Sequence, residues 1–148
     1  MVNRFQNTSA YSVSINKFYG KWKAGGIGSV VAVKALIYSD NANSPDALMG
    51  ASDERTGLGT AGAWELITFS TPVVVPAGAY IWIGVIANGT GESFECLNTG
   101  TLKYNADMYS DGPAPTFGSH TTLSYTMPMY VEGAENIPAN RPHTCVCT

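Results

Sequence analysis

Charge is the commodity this sequence has least of. Asp, Glu, Lys and Arg make up 13% of its 148 residues, about half the ~25% of an ordinary soluble domain. Eight residues are Lys or Arg and eleven are Asp or Glu, for a net charge of −3. The basic residues are scattered rather than gathered on one face, which excludes the electrostatic footprint of a nucleic-acid binder. Cysteine is scarce as well. The three present fit no disulfide framework, because Cys96 stands alone and Cys145 and Cys147 form a terminal Cys-x-Cys. His143 is the one nearby co-ligand, which leaves a structural zinc site a donor short, so neither metal nor cofactor is expected. The longest apolar run, 79–87, is far below the ~20 residues of a membrane-spanning helix. Met1-Val2-Asn3-Arg4-Phe5-Gln6-Asn7 carries no apolar stretch behind a basic start, so no secretory signal is legible and a cytoplasmic site of synthesis is expected. Apolar residues nowhere recur at i, i+3, i+4 and i+7 over three turns, which excludes a coiled coil and leaves helices minor.

What the sequence has is apolar and aromatic mass cut by turn residues. Hydrophobic residues are 45% and aromatics 11%, with 16 glycines and 8 prolines. Such a chain is no disordered polymer, and its length suits one domain burying roughly 68–70% of its unfolded surface. Tyr11, Val13 and Ile15 alternate with Ser12, Ser14 and Asn16, the period of a half-buried strand. Residues 30–38 are β-branched and apolar, and are stopped by the dense turn cluster at 39–46. Further strands are expected at 47–52, 64–69, 73–75, 93–97, 102–105 and 121–131, with Thr71-Pro72 separating the second and third of these segments. Pro76-Ala77-Gly78 is a turn signal before Tyr80-Ile81-Trp82-Ile83-Gly84-Val85-Ile86, which reads as a strand buried on both faces. About eight short strands with turns every 8–15 residues predict an all-β antiparallel sandwich over 11–132. Residues 1–10 and 133–148, poor in core-sized side chains, are expected as extended arms.

Each constellation that could carry chemistry has a plainer reading. Asp40, Asn43 and Asp46 could offer oxygens to calcium, but Pro45 restricts Ser44 and such residues at turns usually bond backbone amides. His120 and His143 stand beside no nucleophile elbow and read as surface histidines. Glu65, Glu92, Glu95, Asp107 and Asp111 could supply a carboxylate pair, although among eleven acids some pair is close by chance. Gly25, Gly26 and Gly28 precede a strand rather than open a helix, so they are no phosphate loop. Trp64 and Trp82 fall inside strands and are expected in the core, whereas Tyr104, Tyr109 and Phe117 lie in loop-like sequence and suit surface contact.

The order of several motifs is informative. Ala35-Leu36-Ile37-Tyr38-Ser39-Asp40-Asn41 is followed by Ser44-Pro45-Asp46, then Trp64-Glu65-Leu66-Ile67, then Pro72-Val73-Val74-Val75-Pro76-Ala77-Gly78. With Tyr104-Asn105-Ala106-Asp107 and Phe117-Gly118, this order resembles a jelly-roll β-sandwich module of tailed-phage structural proteins and bacterial surface proteins. The resemblance covers 11–132 and carries no catalytic residue, so it implies a fold and a setting: a non-enzymatic virion structural protein, assembled in a host cytoplasm. A capsid decoration or head-fibre protein is the expectation, a homo-oligomer (a trimer) that binds the major capsid protein or other virion proteins. The alternative is a carbohydrate-binding module or receptor-binding adhesin that holds a surface glycan. Phe5, Tyr104, Tyr109, Phe117 and Ile137 are the expected partner contacts; nucleic acid and membrane are not expected partners.

Overall fold

The computed structural model describes residues 1–23, 32–57, 63–88, 93–94 and 97–138. The Gly25–Gly28 cluster, Glu92, Glu95, Cys96, His143, Cys145, Cys147 and the tail from 139 lie outside the described residues. Among the described residues eleven strands run as β1 (Val2–Gln6), β2 (Val13–Lys23), β3 (Ala32–Asn41), β4 (Ser44–Ala51), β5 (Arg55–Thr56) and β6 (Trp64–Val75), followed by β7 (Tyr80–Asn88), β8 (Ser93–Phe94), β9 (Leu102–Tyr104), β10 (Thr121–Leu123) and β11 (Met129–Glu135). One 3-10 turn, Tyr109–Asp111, is the helical content of the described residues. All strand pairs are antiparallel.

The strands form two sheets. Sheet I has the order β10-β9-β1-β7-β3-β4, with β5 continuing the ladder beside β3, and sheet II the order β11-β2-β6, with β8 beside the end of β2. Ile15, Phe18, Ile67, Phe69, Val73 and Val75 of sheet II pack against Val33, Ala35, Ile37, Ile81, Ile83 and Val85 of sheet I. The result is an antiparallel β-sandwich. A second, smaller core covers the other face of sheet I, where Leu36, Tyr38, Trp82 and Ile86 meet Phe117 and Tyr109 from the β9–β10 connection. That connection is pinned by Tyr38 Oη donating to the Ala114 carbonyl (3.1 Å), the Leu48 amide to the Pro115 carbonyl (2.9 Å) and the Phe117 amide to the Asp46 carbonyl (2.8 Å). Burial pushes the Tyr38 hydroxyl up to about 12. Two covered faces explain why 80–86 reads as a continuous apolar run rather than an alternating one.

Several expectations are corrected. Residues 1–10 are not an arm: β1 lies inside sheet I between β7 and β9. Val2 packs in the outer core and Phe5 against the inner one, so this strand has none of the period-2 polarity that marks a half-exposed strand. Residues 133–135 belong to β11 and pair with β2, and Asn136 is tied to Ser12 and Ser14. Pro72 does not divide two strands, because among the described residues β6 has a ladder on one side only and a proline there needs no partner on the other. The 121–131 segment is two strands, each in a different sheet. Trp64 is 48% exposed, for a reason given by parity: Ile67 and Phe69 point inward, so Trp64 and Leu66 point out.

The β3–β4 hairpin turns through Ala42 and Asn43, both at positive φ (49° and 66°), the left-handed pair that a two-residue hairpin demands. Asparagine tolerates this region; alanine is strained there. Ala42→Gly is therefore expected to stabilise the protein by about 0.5–1 kcal/mol, read as a higher urea midpoint at unchanged slope.

Candidate functional site

A polar hub stiffens one flank of sheet I. The Asp40 carboxylate accepts from Arg4 Nε (2.8 Å) and Nη2 (2.9 Å), from Trp82 Nε1 (2.7 Å) and from the Asn43 amide (3.4 Å). The Arg4 fork lies 3.8 Å over the Tyr80 ring. Lys103 Nζ donates to the Asn43 carbonyl (2.8 Å) and Ser44 Oγ (3.1 Å) and sits 5.0 Å over Trp82. β1, β3, β7, β9 and the hairpin turn are thus locked together, and the oxygens of Asp40 are used internally rather than held out for an ion. Among the described residues, no three His, Cys, Asp or Glu side chains converge on a metal-sized point.

The Arg4 guanidinium holds the Asp40 carboxyl below its ordinary range, with the Trp82 and Asn43 donors adding to the effect. The folded state therefore binds the Asp40 proton more weakly than the unfolded chain does. Its stabilising contribution is present above about pH 4 and is lost as pH falls through the lowered value. Asp40→Asn is expected to be less stable than the parent at pH 7, and to lose less of its remaining stability between pH 5 and pH 2. Urea denaturation across that range measures both.

Beside the hub the sheet I ladder is incomplete. Met1 and Val85 exchange both backbone bonds (3.0 and 2.9 Å), and the Asn7 amide reaches the Ala79 carbonyl (2.9 Å). By the alternation of an antiparallel pair, residues 1, 3, 5 and 7 face β7 and residues 2, 4 and 6 face away. Val2 is met there by Lys103 of β9, but the β1–β9 ladder stops at Asn3 and Leu102. The backbone groups of Arg4 and Gln6 find no partner among the described residues. Along this free edge runs a cleft of about 470 Å³ lined by Arg4, Phe5, Asn43, Gly100, Thr101 and Thr126. Leu97, bridged to Thr126, and Tyr125 beside it are exposed at its margin. The opposite edge is closed: residues 115–117 cross β4 through the Ala47–Thr116 bridge, the usual protection of a sheet edge.

Sheet II carries a different surface. Tyr130, Tyr19 and Leu66 form one cross-strand row on its solvent face, with Lys21 and Trp64 in the next pair along and Glu132, Lys17 and Thr68 in the row on the other side. Tyr19 and Tyr130 stack at 4.5 Å and 12°, and Trp64 meets Tyr130 edge-on at 5.2 Å and 62°. Lys17 Nζ (3.2 Å) and Tyr19 Oη (3.3 Å) both donate to Glu132 Oε2. A β-bulge makes this face. The register shifts between Ile15 and Lys17 against β6 and between Glu132 and Gly133 against β11. Ile15 and Phe18 consequently both point inward, and Lys17 and Tyr19 are re-aimed to solvent. At Gly133 a Cβ would lie 2.4 Å from the Ser14 carbonyl oxygen, so glycine is what lets the two strands approach at the bulge.

The structure distributes the expected contact residues widely. Phe5 lines the free-edge cleft. Tyr104 is exposed opposite Thr121 of β10, at the far end of the β1–β9 ladder from Phe5. Phe117 is only 3% exposed and packs edge-on against Tyr38 at 5.2 Å. Tyr109 anchors the covering connection through a 2.6 Å bond from Oη to Glu54, and burial with that carboxylate pushes its hydroxyl pKa up. Ile137 is 56% exposed beyond β11. His120 lies at the surface with Nδ1 2.9 Å from the Gly118 carbonyl, while Asp107 accepts from the Ala114 amide and Glu65 from Arg55. Trp64, Tyr19 and Tyr130 were missed by reasoning on the sequence; the parity of Ile67 and Phe69 would have placed Trp64 outside, but nothing in the sequence marks the bulge that exposes Tyr19. Comparison of the chain with protein-family models, with curated proteins and with solved structures finds no match.

Proposed function

We propose that this chain is a non-enzymatic virion structural protein, a capsid decoration or head-fibre component that stabilises a shell by binding it. The observation that carries this reading is the free β1 edge at Arg4–Gln6 beside its cleft. An extended segment of a shell protein laid there would satisfy the open backbone groups and continue sheet I. Leu97 and Tyr125 would add apolar area at the rim, and the rigid Asp40 hub means that little ordering is needed on docking. Many copies on one shell would multiply a modest single contact. The jelly-roll character implied by the motif order and a trimeric state belong to the same reading.

Gln6→Pro tests it. The Gln6 amide faces away from β7, so proline removes a free donor without breaking an existing ladder bond. Mixed with shells that lack this protein, the parent chain is expected to co-sediment and raise their heat resistance, while folded Gln6→Pro and Leu97→Asp variants are not. Equal sedimentation by parent and variants sinks strand addition at this edge; no sedimentation of the parent sinks the shell reading itself. A second reading, a glycan-holding adhesin, is favoured by the aromatic face of sheet II.

A further inference from the structure

The solvent face of sheet II combines two features. The first is an exposed aromatic cluster. Trp64 is 48% and Tyr130 42% exposed, and Leu66 beside them is open as well. The Tyr19–Tyr130 stack and the edge contact of Trp64 hold these rings against one another, so little side-chain entropy remains to be lost when a guest settles on them. The second is a polar group of mixed character directly alongside. Glu132 takes the bonds from Lys17 and Tyr19 on Oε2 alone, which leaves Oε1 as an acceptor, and the Lys17 ammonium has further N–H donors to give.

A guest fitting this face needs an apolar patch for the rings and, one ring-width away, hydroxyls that both donate and accept. A pyranose ring has that construction: its axial C–H groups form an apolar face and its rim carries equatorial hydroxyls. A carboxylate-bearing sugar is disfavoured, because Glu132 sits at the rim and its charge would oppose a second anion. We infer that the Trp64–Tyr130–Tyr19 face is a binding site for a neutral hexopyranose unit of a surface glycan, stacked on Trp64 with Tyr130 against its side, and hydrogen-bonded by Glu132 and Lys17. This deepens the glycan reading and rests on it. The site is on the opposite sheet from the β1 edge, so loss of one leaves the other intact.

The experiment uses the full chain on an array of neutral hexose oligosaccharides alongside sialylated and uronic-acid glycans. The strongest neutral binder is then titrated by calorimetry into the parent and into Trp64→Ala, Trp64→Tyr and Glu132→Gln. The parent is expected to bind neutral glycans. Trp64→Ala is expected to weaken binding about tenfold or more, the scale of one lost aromatic contact. Trp64→Tyr is expected to keep most of it, and Glu132→Gln to weaken it while relaxing the discrimination against acidic sugars. Thermal melts identify any variant that fails to fold, and the Tyr replacement reports on the site in that event. No glycan binding by the parent, binding restricted to acidic sugars, or affinity unchanged in Trp64→Ala would each overturn the inference. So would capture of a protein partner on this face without sugar binding. Shell co-sedimentation of the same variants is expected to be unchanged, which separates failure here from failure of the shell reading.

Discussion

Gly84→Ala is expected to cost about 3 kcal/mol or more, the upper end of what overpacking does to a well-packed site. Gly84 sits in the middle of β7 opposite Val2. A Cβ there would lie 1.8 Å from the Met1 carbonyl oxygen, 2.6 Å from the Val2 Cα and 2.7 Å from the Met1 carbonyl carbon. All three atoms are backbone, so no rotamer change relieves the clash and β1 must move away from β7. That movement would strain the Met1–Val85 bonds and open the Val2 side of the outer core. The measurement is a urea denaturation curve, together with faster amide exchange at Asn3 and Phe5, whose N–H groups face β7. Stability within about 0.5 kcal/mol of the parent would show that β1 is not held where the structure has it. Because the free edge belongs to β1, the same variant is expected to lose shell sedimentation.

The second large effect is expected at Trp82. Its side chain is 1% exposed in the core on the outer face of sheet I, and its Nε1 supplies one of the four donors around Asp40. Trp82→Ala removes the packing and leaves a cavity, for an expected loss of about 3–5 kcal/mol. In a domain of this size that corresponds to a fall in Tm of about 10 °C or more. Trp82→Phe retains much of the apolar contact and removes the hydrogen bond, so its loss is expected to be smaller, about 1–2 kcal/mol. Thermal and urea denaturation of the pair separate packing from the bond. Equal losses for the two variants would mean that the hydrogen bond to Asp40, not the volume, is what Trp82 contributes. The Asp40→Asn acid profile provides the complementary reading of the same hub.

Legibility in the sequence followed exposure to one solvent face. A strand with one wet and one dry side announced itself, since Tyr11-Ser12-Val13-Ser14-Ile15 led into β2, and the apolar 64–69 segment matched the start of β6. β3 and β7 were found as apolar runs stopped by turn residues. β1 escaped because its two faces meet two different cores, so Val2 and Phe5 look like scattered apolar residues in a polar start. Phe117 was misjudged for a related cause. Its surroundings are loop-like, yet the loop is the lid of the outer core, and only the fold brings it over Tyr38 and Trp82. The free edge of β1 was invisible for a third reason, because an unpaired strand is defined by where its neighbour stops, and β9 is about a hundred residues away in sequence.

The amino-acid sequence by itself determined the class of this protein. Low charge, abundant turn residues and period-2 patterning leave an antiparallel β architecture as the economical way to bury the apolar mass, because each strand's inward side chains are encoded locally. The tertiary structure alone decided which surfaces remain for binding. A register shift at Asn16 turns Tyr19 outward to join Trp64 and Tyr130, and the early end of the β1–β9 ladder leaves Arg4 and Gln6 open. Both outcomes depend on pairing between strands distant along the chain, where a slip of one residue exchanges the wet and dry faces and no local pattern records which way it went.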